Sequence, residues 1–112
     1  MLTPTCMVDG IHMSAADASE RIAEIVKTDP PASVRYRIRF DSCGHPHEDH
    51  QICGVCYAAT VSALLFQWSH ARLQTEGRSR WEANRLSAAI KALIKEHGPV
   101  TLGVIGLDQV DT

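Results

Sequence analysis

The sequence predicts a small α+β domain of about three helices and two short strands, and three observations predict it. The chain has 112 residues, 45% of them hydrophobic and 21% charged, which is the size and mix of one ordinary globular domain. Two Ser-x-x-acid patterns, at Ser14 and Ser79, stand before amphipathic stretches with helical spacing. Two further runs read as strands between turn-forming residues: Val34–Phe40, which alternates apolar residues with arginine, and Val100–Leu107, which is mostly apolar. Length excludes a TIM barrel, which takes about 250 residues, and composition excludes collagen, coiled coil and a disordered chain. No internal repeat, low-complexity segment or long linker divides residues 1–112, so they are read as one domain.

In chain order, the first helix is expected from Ser14, whose hydroxyl caps it with Asp17 three residues on. Ala18, Ile22, Ile25 and Val26 form its apolar stripe, and Asp29-Pro30-Pro31 ends it, because proline lacks the amide and restricts the residue before it. Val34–Phe40 alternates apolar residues with Arg35, Arg37 and Arg39, a half-buried strand with three guanidinium groups in a row outside. Three like charges in line call for an acidic counterpart: Glu20 and Glu24, a partner surface, or phosphate. Asp41–Gln51 reads as a loop. The second helix is expected from about Ile52–Gly54 to about Thr75, and its middle, Val55–Trp68, is apolar nearly all round, as a central buried helix would be. The third opens at Ser79 and buries Trp81, Leu86, Ala89, Ile90, Leu93 and Ile94. Gly98 supplies its left-handed C-terminal position and Pro99 stops it. Val100–Leu107 is the second expected strand.

Eleven basic against 13 acidic residues give a net charge of −2, too little positive field to single out nucleic acid. Met1–Gly10 has neither the basic start nor the apolar run of a secretory leader. Val55–Trp68 is shorter than the roughly 20 residues of a membrane span. The expectation is a cytoplasmic protein, or one within a particle assembled there, with no membrane partner. Thiols stay reduced in that compartment, so four cysteines read as ligands rather than as disulfides.

The most informative segment is Cys43-Gly44-His45-Pro46-His47-Glu48-Asp49-His50-Gln51-Ile52-Cys53-Gly54-Val55-Cys56. Three of the four cysteines and three of the six histidines fall within it. Thiolate and imidazole are the ligands of a closed, structural zinc site. Cys53 and Cys56, three residues apart at a helix head, share one face, where the positive helix end favours thiolates. A strand, a ligand-bearing turn and a helix with Cys-x-x-Cys in its first turn resemble the treble-clef group of zinc fingers over roughly Val34–Gln67, within a zinc loop and central helix of about residues 34–75. The group presents a first Cys-x-x-Cys on a knuckle. Here Phe40-Asp41-Ser42-Cys43-Gly44 carries only its second half, so a histidine completes the set. The expected ligands of one zinc per chain are Cys43, His45, Cys53 and Cys56, with His50 and then His47 as alternates for the fourth place. Cys6 is a remote candidate, better placed in the core.

His45-Pro46-His47-Glu48-Asp49-His50 is also similar to the His-x-His-x-Asp-His signature of the metallo-β-lactamase superfamily, which implies a zinc hydrolase. The chain is short for that family's four-layer sandwich, and its three loop cysteines would crowd the same ion. The family's further metal-binding His and Asp positions, which come from distant loops, have no obvious source in His70, His97 or Asp108. The favoured reading is therefore a non-catalytic module that binds a protein or joins a larger complex, such as a phage particle or a regulatory assembly. A nucleic-acid-binding regulator using Arg35, Arg37, Arg39 and the basic residues of Arg72–Lys95 is the alternative.

Overall fold

A computed structural model describes residues 4–40, 53–73 and 77–98. Within them the chain is α+β: a three-stranded antiparallel sheet of order β2-β1-β3 beside a layer of helices. Strand β1 (Thr5–Val8) turns at Asp9-Gly10 into β2 (Ile11–Ser14), with Cys6 opposite Met13 and Val8 opposite Ile11. Both turn residues have positive φ, 53° and 81°. A two-residue hairpin loop of that hand matches the twist of the strands, and Asp-Gly is among the pairs that adopt it most readily. This hairpin was absent from the expected elements, although Val8-Asp9-Gly10-Ile11 carries its signature.

Helix α1 (Ala15–Thr28) follows at once, and the Ser14 hydroxyl accepts the Asp17 amide at 3.1 Å. Its stripe Ala18, Ile22, Ile25 and Val26 is buried as the spacing requires, and Asp29 caps its end. Arg85 reaches across from the last helix to the carbonyls of Val26 and Asp29, satisfying acceptors that a helix end leaves open.

The expected strand Val34–Phe40 is corrected. Pro31–Ser33 is a 3-10 turn, Val34–Arg37 is a single helical turn (α2), and only Ile38–Arg39 pairs as β3. The register gives the reason. Val8 lies opposite Ile38, and the Asp9 amide bonds the Arg37 carbonyl at 2.9 Å. A strand continuing back to Val34 would need residues 10–12 as partners, and these have already turned into β2 on the other side of β1. With no ladder available, the backbone closes its bonds within a helical turn. Tyr36, which a strand would bury, is 73% exposed.

Helix α3 (Gly54–Leu73) is central and packs on α1, on β1 and on α4 (Gly77–His97). The core runs through Val8, Ile22, Val26, Phe40, Val61, Leu64, Leu65, Ile90 and Leu93, all buried. Two expectations for α4 change. It starts at Gly77 rather than Ser79, within the roughly two residues by which such patterns place a boundary. Trp81 is 42% exposed, lying on the helix side away from Leu86 and Ile90, where Arg85 stacks on it at 4.8 Å. The left-handed Gly98, with φ 94°, is where the sequence put it. Among the described residues four α-helices stand where about three were expected, the extra one being the turn at Val34–Arg37. The expected strand Val100–Leu107 lies outside the described residues. No helix among those described is long and apolar enough to cross a membrane.

Candidate metal centre

The head of α3 gathers most of what the sequence singled out. Cys53 stands immediately before the helix and Cys56 lies in its first turn, both buried. The Cys53 carbonyl accepts the Tyr57 amide at 2.9 Å, and the Cys53 amide donates to the Phe40 carbonyl at 3.0 Å. The second bond fastens the two ends of residues 41–52 together. The Thr5 amide donates to Cys56 Sγ at 3.4 Å, which ties β1 to the first turn of α3. Thr60, one turn on, bonds the Cys56 carbonyl at 2.9 Å.

Three rings pack over this head. Phe40, Tyr57 and His97 lie pairwise with centroids 5.3 to 5.4 Å apart in tilted or edge-on contact, the arrangement that ring quadrupoles favour. The Tyr57 hydroxyl donates to the Gly98 carbonyl at 2.6 Å, tying the end of α4 to the start of α3. Burial pushes the Tyr57 hydroxyl up to about 12. Burial also lowers the His97 imidazole, against a smaller opposing effect of Glu96. Neither residue was singled out for this place from sequence, where nothing in the spacing of Phe40, Tyr57 and His97 foretells that they meet.

Cys6 is buried in β1, as expected of a small core residue. Its thiol is raised by burial, partly offset by a hydrogen bond with Thr60, so it sits one turn along α3 from Cys56. Cys43, His45, His47 and His50 lie outside the described residues, and so does Asp49 of the His-x-His-x-Asp-His match. Among the described residues no group of three or more His, Cys, Asp or Glu is placed to hold a metal ion. His70 is on the exposed side of α3, in the wall of an open groove of about 660 Å³ with Glu20, Glu24, Lys27 and Glu82. It belongs to a separate region from the thiol pair.

The arginine row resolves differently from expectation. Arg37 presents Nε and Nη2 to the two oxygens of Asp9, each at 2.7 Å, and Nη1 to Asp29 at 2.5 Å. Its acidic counterparts are therefore Asp9 and Asp29, not Glu20 and Glu24. Arg35 lies over the Tyr36 ring at 4.6 Å. The three residues form no line, because two of them sit on a helical turn. The fork on Asp9 holds that carboxyl below its usual range, with a smaller contribution from Arg21 at 3.9 Å.

No family model, curated protein or solved structure matches the chain.

Proposed function

We propose that the protein is a non-catalytic, protein-binding or assembly module whose fold is clamped by one structural zinc ion. Cys43, Cys53 and Cys56 are three of its ligands and a histidine is the fourth, with His45 first and His50 or His47 as alternates. One observation carries this reading: a buried Cys-x-x-Cys pair at the head of the central helix, beside the bond that joins Phe40 to Cys53. Cys43 follows Phe40 by three residues, which span at most about 11 Å, so the chain cannot carry it far from the pair. A closed site of thiolates and imidazole supplies folding energy and leaves no open position for a reacting water. The engagement of Arg37 by Asp9 and Asp29 takes the middle member out of a phosphate-binding row, which favours a protein partner over nucleic acid. Such a subunit would serve a cytoplasmic complex, a phage particle or a regulatory assembly.

Elemental analysis of protein purified without chelator tests the reading directly, with one zinc per chain expected. Well under one equivalent defeats it. Binding to nucleic acid with affinity that falls steeply as salt rises would favour the alternative, because phosphate contacts release counterions.

A further inference from the structure

We infer that the pocket between the end of α3 and the start of α4 binds a phosphate group, free or esterified to a small molecule. Its volume is about 300 Å³, and it is lined by Trp68 and Arg72 from α3 and by Arg80, Ala83 and Asn84 from α4. Each helix contributes one strip, since residues three and four apart share a face. Trp68 and Ala83 are buried and give the inner wall, while Arg72, Arg80 and Asn84 are exposed.

Arg72 lies over the Trp68 ring, 5.1 Å from its centroid. A guanidinium stacked on a ring keeps its N–H edges free for a fork of bonds to an oxyanion. Among the described residues neither Arg72 nor Arg80 pairs with a carboxylate. The lining therefore holds two positive charges and one side-chain amide, and no acid. Charge and size choose the ligand. A phosphate monoester carries about −1.5 to −2 at pH 7, which matches the two guanidinium groups. The volume is at the lower end of small-molecule sites, roughly 300 to 1,000 Å³, and admits a phosphoryl group with a small substituent. A nucleic-acid strand fits worse, because it needs a basic track for successive phosphates. The neighbouring groove, which also has α3 and α4 among its walls, carries Glu20, Glu24 and Glu82. The inference goes beyond the assembly reading and does not depend on the zinc.

Isothermal titration calorimetry on the full-length protein tests it, with inorganic phosphate, glycerol phosphate, succinate and a short single-stranded oligonucleotide as probes. Both phosphate probes are expected to bind one per chain with Kd of about 0.1 to 1 mM. Tighter binding of glycerol phosphate identifies an esterified ligand and equal affinity identifies the free ion, and either supports the pocket. Arg80→Gln should weaken binding about tenfold. Arg72→Lys, which keeps the charge but loses the stacked fork, should weaken it about fivefold. Lys95→Gln, exposed elsewhere on α4, should leave it unchanged, with circular dichroism constant in all three variants. Protein that binds neither phosphate probe at about 10 mM overturns the inference. An Arg72→Lys variant equal to wild type, or a Lys95→Gln variant as weak as Arg80→Gln, overturns it too, because diffuse charge would then suffice. Succinate as tight as glycerol phosphate would overturn the choice of phosphate. An oligonucleotide tighter than both phosphate probes would overturn the small ligand and favour the nucleic-acid alternative.

Discussion

At the head of α3, Cys53, Cys56 and Tyr57 are buried and fastened to β1, to the end of β3 and to the end of α4. Along the outward face of the same helix, Val55, Phe66 and Leu73 meet water. Residue type does not separate the two regions, since both are apolar or uncharged. Cross-ties do. The head has a sulfur that accepts the Thr5 amide, a hydroxyl that reaches the Gly98 carbonyl and an amide bonded to the Phe40 carbonyl, while large side chains of the outward face are exposed. An apolar helix must be covered over most of its surface, and directional bonds at one end decide which part is covered from within the chain.

The sharpest way to break that comparison is at the head. Cys53→Ser or Cys56→Ser should release the zinc and cost more than about 4 kcal/mol, the range reached by loss of a metal. Thermal unfolding with elemental analysis reads both effects, and unchanged values in both variants would reduce the pair to ordinary core thiols. A smaller effect sharpens the contrast between the two faces. Leu64→Ala, fully buried, should cost about 3 kcal/mol, and Phe66→Ala, at an exposed position, less than about 0.5 kcal/mol. Denaturant midpoints measure the pair, and similar losses would mean that the outward face is covered.

Farther from α3, Arg37→Ala should cost about 1 kcal/mol, as for a well-formed but partly exposed ion pair. Because the Asp9 carboxyl is lower folded than unfolded, its contribution is full above about pH 4. It fades as pH falls through the lowered value, so the gap between wild type and variant should close in acid. The smallest effect concerns His97. Its imidazole is also lowered on folding, so its contribution is full above about pH 6.5 and declines as pH falls toward the lowered value. His97→Phe should flatten unfolding curves over that window, and an unaltered slope would assign the pH dependence to other groups.

How far the sequence could be read depended on the range of the interaction. Ser14, Ile22 and Asp29 report on a helix whose signals lie within a turn of one another, and α1 was legible almost to the residue. The end of α4 at Gly98 was legible for the same reason, and so was the burial of Cys6 and Trp68. Val34–Phe40 was misread because alternation alone cannot show that the strand partner of Val34 has turned away. The arginine row failed with it, since Asp9 and Asp29 meet Arg37 only through the tertiary fold. The hairpin was missed although its signal is local, since positive φ at both turn positions is what Asp9-Gly10 supplies. For the candidate site, Cys53 and Cys56 at a helix head were foreseen from their spacing. The covering of that head by Phe40, Tyr57 and His97 depends on long-range packing, which no local pattern encodes.

The single bond from the Cys53 amide to the Phe40 carbonyl has a consequence for how this chain can change. It sets Phe40 and Cys53, both buried, side by side as anchor points for the chain that joins them. Doubling the length of that joining chain costs only about 0.6 kcal/mol in closure entropy. Residues can therefore be added between Phe40 and Cys53 at small entropic cost where Cys43 and the histidines are kept.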